Sequence, residues 1–162
     1  MKHGKDIAYW SDGSIYEGDF LSGVRHGKGI AYRSGGSIIY EGDFLDDVIH
    51  GKGVVYSSDG SIVYAGDFEN NVKHGKGIEY WSDDSIYEGD FLSGVGHGKG
   101  IVYRSDGSKY YKGDLEDGKY HGKGIEYHSD GSIIYEGDFL DDVIHGKGLF
   151  IVQMALYSTA GI

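Results

Sequence analysis

Tyr16-Glu17-Gly18-Asp19-Phe20, followed after Leu21-Ser22-Gly23-Val24-Arg25 by His26-Gly27-Lys28-Gly29, is one copy of a unit that fills the chain. Its first block, Tyr-x-Gly-Asp-Phe, recurs from Tyr16, Tyr40, Tyr64, Tyr87, Tyr111 and Tyr135, with Leu115 once in place of Phe. Its second block, His-Gly-Lys, begins at His3, His26, His50, His74, His97, His121 and His145. Successive copies are 23 or 24 residues apart. Helical solenoids commonly need repeats of about thirty residues or more, so the period favours hairpins.

Two-residue alternation assigns the faces. Tyr16, Gly18 and Phe20 share one side of a strand, and Glu17 and Asp19 share the other, facing water. In the partner strand, Ile30 and Tyr32 point one way and Gly29 and Ala31 the other. Glycine between two aromatic positions leaves an opening that a ring of a neighbouring strand can fill, so the packing expected is aromatic over glycine. Asp12-Gly13, Gly35-Gly36, Asp59-Gly60, Asp106-Gly107 and Asp130-Gly131 read as tight hairpin turns. Asp83-Asp84 breaks that pattern and should turn less comfortably.

The connection from Leu21 to His26 reads as the longer one, with Gly23, Asp47 and Asn71 marking positions that call for positive φ. Four copies carry one additional residue before the tyrosine. A slip of one residue would invert every following side chain, so bulges are expected near Ile38-Ile39, Ile62-Val63, Lys109-Tyr110 and Ile133-Ile134. The fold class that follows is all-β, an elongated single-sheet solenoid of antiparallel hairpins. Thirteen strand-like blocks at roughly 4.8 Å give a twisted rod on the order of 60 Å long. The repeat array is placed at residues 1–148 and an apolar cap or tail at 149–162.

Composition agrees and narrows the function. The 162 residues include 30 Gly, 15 Tyr, 6 Phe and 2 Trp, with no Pro and no Cys. Glycine without a three-residue period or proline excludes a collagen helix, and the aromatics argue against a disordered linker. Disulfides, thiolate metal ligands and cysteine nucleophiles are excluded outright. The 26 acidic against 15 basic residues leave a formal charge of -11, which repels nucleic acid and anionic lipid. No apolar leader or bilayer-length stretch is evident, so the chain is expected to be cytoplasmic, or peripheral at a membrane or cytoskeletal structure.

The paired blocks resemble the MORN (membrane occupation and recognition nexus) repeat: Tyr-x-Gly-x-aromatic, a glycine-containing turn, His-Gly-x-Gly, then Asp-Gly before the next Tyr. The stretches from Tyr16 through Gly29 and from Tyr87 through Gly100 match closely, and the likeness runs from His3 to Gly148. Departures are Asp6 for a glycine, Asp47, Asn71 and Asp142 for the turn glycine, and Leu115 for the aromatic. The resemblance implies a meander of stacked hairpins acting as a scaffold, junction or membrane-associated module, in some relatives beside a catalytic domain.

Catalytic chemistry finds no support in the motifs. Equivalent histidines of successive repeats stand about 10 Å apart, whereas ligands of one metal approach it to about 2 Å. They read as architectural. Pairs such as Glu17 with Asp19, Glu41 with Asp43 and Glu136 with Asp138 lie about 7 Å apart, a glycosidase-like spacing, but they recur without a cleft and read as a solvated acidic face. His-Gly-Lys-Gly lacks phosphate-loop spacing, and no nucleophile elbow is present. No cofactor and no enzyme activity are expected.

The leading expectation is a non-catalytic scaffold for protein–protein interaction or self-association. Its candidate contact face is the aromatic row Tyr16, Phe20, Tyr40, Phe44, Tyr64, Phe68, Tyr87, Phe91, Tyr111 and Tyr135, with packing inside the sheet as the competing role of each ring. Leu149-Phe150-Ile151-Val152 opens the most apolar run, which would cap the sheet or pair two copies as a homodimer. The alternative is a membrane-recruitment module binding anionic phospholipids through Lys28, Lys52, Lys76, Lys99 and Lys123.

Overall fold

The computed structural model describes residues 3–151. They form β1 (Gly4–Tyr9), β2 (Ile15–Leu21), β3 (Val24–Tyr32), β4 (Ile38–Leu45), β5 (Val48–Tyr56), β6 (Ile62–Glu69), β7 (Val72–Tyr80), β8 (Ile86–Leu92), β9 (Val95–Tyr103), β10 (Lys109–Glu116), β11 (Lys119–Tyr127), β12 (Ile133–Leu140) and β13 (Val143–Phe150). All thirteen belong to one antiparallel sheet in sequence order, so every strand pairs only with its chain neighbours. The all-β repeat meander is therefore the fold, and helices are absent among the described residues.

The two connections exchange the characters read from sequence. Leu21 pairs with Val24 across Ser22 and Gly23, which have φ of 53° and 89°. Two successive left-handed residues make a primed two-residue turn, whose twist suits a hairpin. Asp47 at 70° and Asn71 at 67° occupy the same place, so the positive φ expected there is present. The Asp12-Gly13 connection is the wider one, since Tyr9 pairs with Ile15 and Trp10 donates its amide to the Ser14 carbonyl at 3.0 Å. Asp12 Oδ1 accepts the amide and the hydroxyl of Ser14, which shapes the loop from inside.

The residues that made the first connection look long are absorbed in a bulge. Gly18 pairs with Gly29 and Phe20 with Arg25, so Asp19 alone opposes His26, Gly27 and Lys28. Hairpins β4–β5, β6–β7, β8–β9 and β10–β11 repeat the irregularity. Gly27 sits at its centre with φ 69°, a conformation that explains the glycine of His-Gly-Lys. The aspartate closes the arch: Asp19 Oδ2 accepts the Lys28 amide at 3.2 Å, and Asp43 Oδ2 accepts the Lys52 amide at 3.0 Å.

The expected bulges at the longer copies are also present. Register shifts leave out Ile39, Val63, Tyr110 and Ile134, while the short copies joining β1 to β2 and β7 to β8 run without a shift. Ile39, Tyr110 and Ile134 pack against the core. One residue is thereby taken up without inverting the next Tyr-x-Gly-Asp-Phe block.

That core is a single row of rings. Tyr16, Tyr40, Tyr64, Tyr87, Tyr111 and Tyr135 are the most deeply buried large side chains, at 0 to 1% exposure. Each tyrosine lies over the glycine pair of its own hairpin: a Cβ on Gly29 would stand 2.3 Å from Tyr16 Oη, and one on Gly18 2.5 Å. Its hydroxyl donates to the carbonyl of the aspartate three residues on, at 3.0 Å for Tyr16 to Asp19 and 2.8 Å for Tyr87 to Asp90. The ring filling the glycine gap thus comes from the same strand as Gly18 and reaches across to Gly29. Phenylalanines join successive copies edge to face: Tyr16 meets Phe20 at 5.2 Å and Phe44 of the next copy at 5.0 Å. Leu115 interrupts this ladder beside Tyr87.

Candidate functional site

The aromatic residues proposed as a contact face are the core. Tyr16, Phe20, Tyr40, Phe44, Tyr64, Phe68, Tyr87, Phe91, Tyr111 and Tyr135 are all buried, none more than 7% exposed. A ring lying flat on glycine and capped by a phenylalanine edge has no face left to offer, so packing is the role these residues have. Burial pushes the Tyr16 and Tyr64 hydroxyls up to about 12 and those of Tyr40, Tyr87 and Tyr111 higher still, as it does for Tyr120 outside the row.

The opposite face carries a groove along the sheet. Its floor is the main chain of the paired glycines Gly18, Gly29, Gly42, Gly53, Gly66 and their successors. Two adjoining segments of about 770 and 1310 Å³ meet at Ala65 and Gly66. Along one wall the register alternates Ile7, Glu17, Ile30, Glu41 and Val54, then resumes with Ile78, Glu88 and Ile101. Ala65 and Lys112 replace the glutamate in their copies. Burial and the neighbouring Glu17 and Glu41 raise the Tyr32 hydroxyl beside this wall.

The other wall alternates lysine with aspartate. Lys28 reaches Asp43 at 2.5 Å, Lys52 reaches Asp67 at 2.6 Å, and Lys76 and Lys123 reach Asp90 and Asp138 at 2.5 Å. Lys99 pairs with Asp114 in the same way. The aspartates are therefore not a water-facing acidic row: each ties a lysine of the preceding copy while its other oxygen closes a bulge. Lysine contact holds the carboxyls of Asp67 and Asp138 below their usual range, and in Asp43 the same contacts outweigh burial. Glu17, Glu41, Glu88 and Glu136 give the groove its acidity.

The histidines stay apart. His26 Nδ1 lies 3.5 Å from Asp46 Oδ1, and His121 Nε2 lies 3.1 Å from Glu116 Oε2. No group of three metal-binding side chains occurs among the described residues.

Turn residues that depart from glycine couple the copies. Asn71 Oδ1 accepts the Ile49 amide at 2.8 Å, and Asp142 Oδ1 accepts the Tyr120 amide at 2.8 Å. Gly94 and Gly118 retain only the main-chain bond to the preceding copy, to Lys73 and Gly96.

The model of the MORN repeat matches the chain six times, at residues 16–38, 40–62, 64–86, 87–109, 111–133 and 135–151. The chain belongs to the MORN-repeat family. No curated protein sequence matches it. The MORN copies seen by the family model begin at Tyr16 and place Leu149 and Phe150 inside the last one. Phe150 accordingly ends β13 and packs its ring 4.9 Å from Tyr135. The remainder of the expected cap, 152–162, lies outside the described residues.

Sequence reasoning missed the groove although it had placed Ile30 with Tyr32 and Glu17 on the face away from glycine. The missing signal was pairing: Glu17 meets Ile30 and Lys28 meets Asp43 only once hairpin and bulge registers are known.

Proposed function

We propose that this MORN-repeat chain is a non-catalytic scaffold that holds a basic segment of a partner protein in the glycine-floored groove, and that it works in the cytoplasm. The supporting observation is the groove's charge arrangement. Lys28, Lys52, Lys76, Lys99 and Lys123 on one wall are paired with aspartates, whereas Glu17, Glu41 and Glu88 of the other alternate with Ile and Val on a chain of charge -11. A basic segment with interspersed apolar side chains complements that wall, and opposite charge also speeds encounter.

The same pairing weakens the membrane reading. Lys28, Lys52, Lys76, Lys99 and Lys123 would have to give up Asp43, Asp67, Asp90, Asp114 and Asp138 to meet anionic headgroups.

Fluorescence anisotropy of a labelled peptide alternating Lys and Leu tests the groove. Saturable binding is expected, weakened at least about tenfold by E17Q/E41Q/E88Q/E136Q and unchanged by E69Q/E116Q at the edge turns. Equal binding to both variants, or no binding, rejects the reading. Sedimentation with phosphatidylserine vesicles at two salt concentrations is the second arm. Tight, salt-sensitive association there would put membrane recruitment in its place.

A further inference from the structure

The face that carries the rings holds a cavity of about 530 Å³ where two side chains of the repeat are cut short. Residues 9–30 and 80–101 are the same sequence except at Gly13/Asp84 and Arg25/Gly96. In the first of these copies Arg25 fills the slot. Its guanidinium carbon lies 5.9 Å from the centre of Trp10, 5.8 Å from Tyr16 and 5.1 Å from Phe44, and its Nε meets Asp47 Oδ1 at 3.2 Å. Lys73 fills the corresponding slot of its own copy, with Nζ 5.0 Å from Tyr64 and 5.7 Å from Phe91. In these two copies the position seats a cation among rings, whereas Ile49, Tyr120 and Ile144 occupy it in three others.

Gly96 removes that cation and Leu115 takes the place of Phe44, yet Trp81 and Tyr87 remain as counterparts of Trp10 and Tyr16. Tyr110 and Tyr120 close the far side. Two carboxylates, Glu79 and Asp142, line the space. Two native cations stand nearby, Lys73 paired with Glu79, and Arg104 over Tyr110 at 5.0 Å. Lys73 thus takes up Glu79, and Asp142 accepts the Tyr120 amide through Oδ1.

We propose that this cavity receives the guanidinium of an arginine side chain from a partner polypeptide, seated beside Trp81 and Tyr87 as Arg25 is seated beside Trp10 and Tyr16. The site is on the face opposite the groove and does not depend on the groove being occupied.

The test uses the full chain carrying Trp10→Phe, so that Trp81 is the only indole, titrated with N-acetyl-arginine methylamide and with its neutral citrulline counterpart. A saturable change in Trp81 emission is expected, with citrulline at least about fivefold weaker. Gly96→Arg should abolish the response by supplying the cation internally. Asp142→Asn keeps the turn, as Asn71 does in its own copy, and should weaken arginine about threefold while leaving citrulline unchanged. Absence of saturation, equal affinity for citrulline, or arginine binding unaffected by Asp142→Asn would each overturn the proposal. The groove variant E17Q/E41Q/E88Q/E136Q should bind arginine like the parent, which separates failure here from failure of the scaffold reading.

Discussion

The Tyr40 ring lies against Gly53 of the adjacent strand so closely that a Cβ there would stand 2.4 Å from the ring and 2.2 Å from its hydroxyl. This contact, repeated in each interior copy, lets one layer of sheet bury an aromatic core. Gly53→Ala should destabilise the chain by about 3 kcal/mol, because neither main chain nor buried ring can give way. Gly35→Ala meets nothing within 4 Å and should stay within about 0.5 kcal/mol of the parent. Urea denaturation followed by near-ultraviolet dichroism compares the two, and equal midpoints would refute the packing account.

Alkaline pH should unfold the molecule steeply. Tyr16 and Tyr64 titrate near 12 when folded, against 10.0 for an ordinary tyrosine. With the folded value raised, the stabilisation is fully present below pH 10 and is lost as pH climbs toward 12. Tyrosinate absorbance and loss of sheet dichroism should therefore rise together in that window. Complete ionisation with the sheet intact would contradict the burial of these rings.

Asp84 holds a φ of 63° where the other five copies place glycine, as the departure of Asp83-Asp84 suggested. Asp84→Gly should raise stability by about 0.5–1 kcal/mol by relieving a left-handed non-glycine residue. Thermal unfolding would show it, and an unchanged or lowered midpoint would mean that Asp84 makes a compensating contact.

Asp43 has two tasks and Lys28 one. Lys28→Ala removes an exposed ion pair and should cost about 0.5 kcal/mol or less, vanishing in high salt. Asp43→Ala also removes the acceptor of the Lys52 amide and should cost about 1–2 kcal/mol, most of it insensitive to salt. Similar costs for both in high salt would show that closure of the bulge contributes little.

Much of this architecture was legible because alternation and period are local properties. Tyr16, Gly18 and Phe20 had to share a face, and the surplus residue at Ile39 had to leave the ladder or invert what followed. The connections were misread for an equally physical reason. Asp-Gly is good turn chemistry in wide and narrow loops alike, and nothing in His26-Gly27-Lys28 announces that three residues will face Asp19 alone. The aromatic row was placed on one face, with packing inside the sheet and partner contact both open to each ring, since only the stacked arrangement shows that tyrosine lies down on glycine. Neither the pairing of Lys28 with Asp43 nor the vacancy left by Gly96 can be seen in one copy; comparison of Arg25 with Gly96 between copies was the signal available for the second.

The bulges at Ile39, Val63, Tyr110 and Ile134 have a bearing on how such a chain arises. Because each absorbs its residue before the next tyrosine, 23- and 24-residue units are interchangeable in phase. Residues 37–53 and 132–148 are identical, and unequal crossing-over between the stretches of the gene that encode them would yield a longer or shorter product whose tyrosines still meet their glycines. Sheet length is thus a quantity that heredity can adjust in whole copies without redesigning the fold.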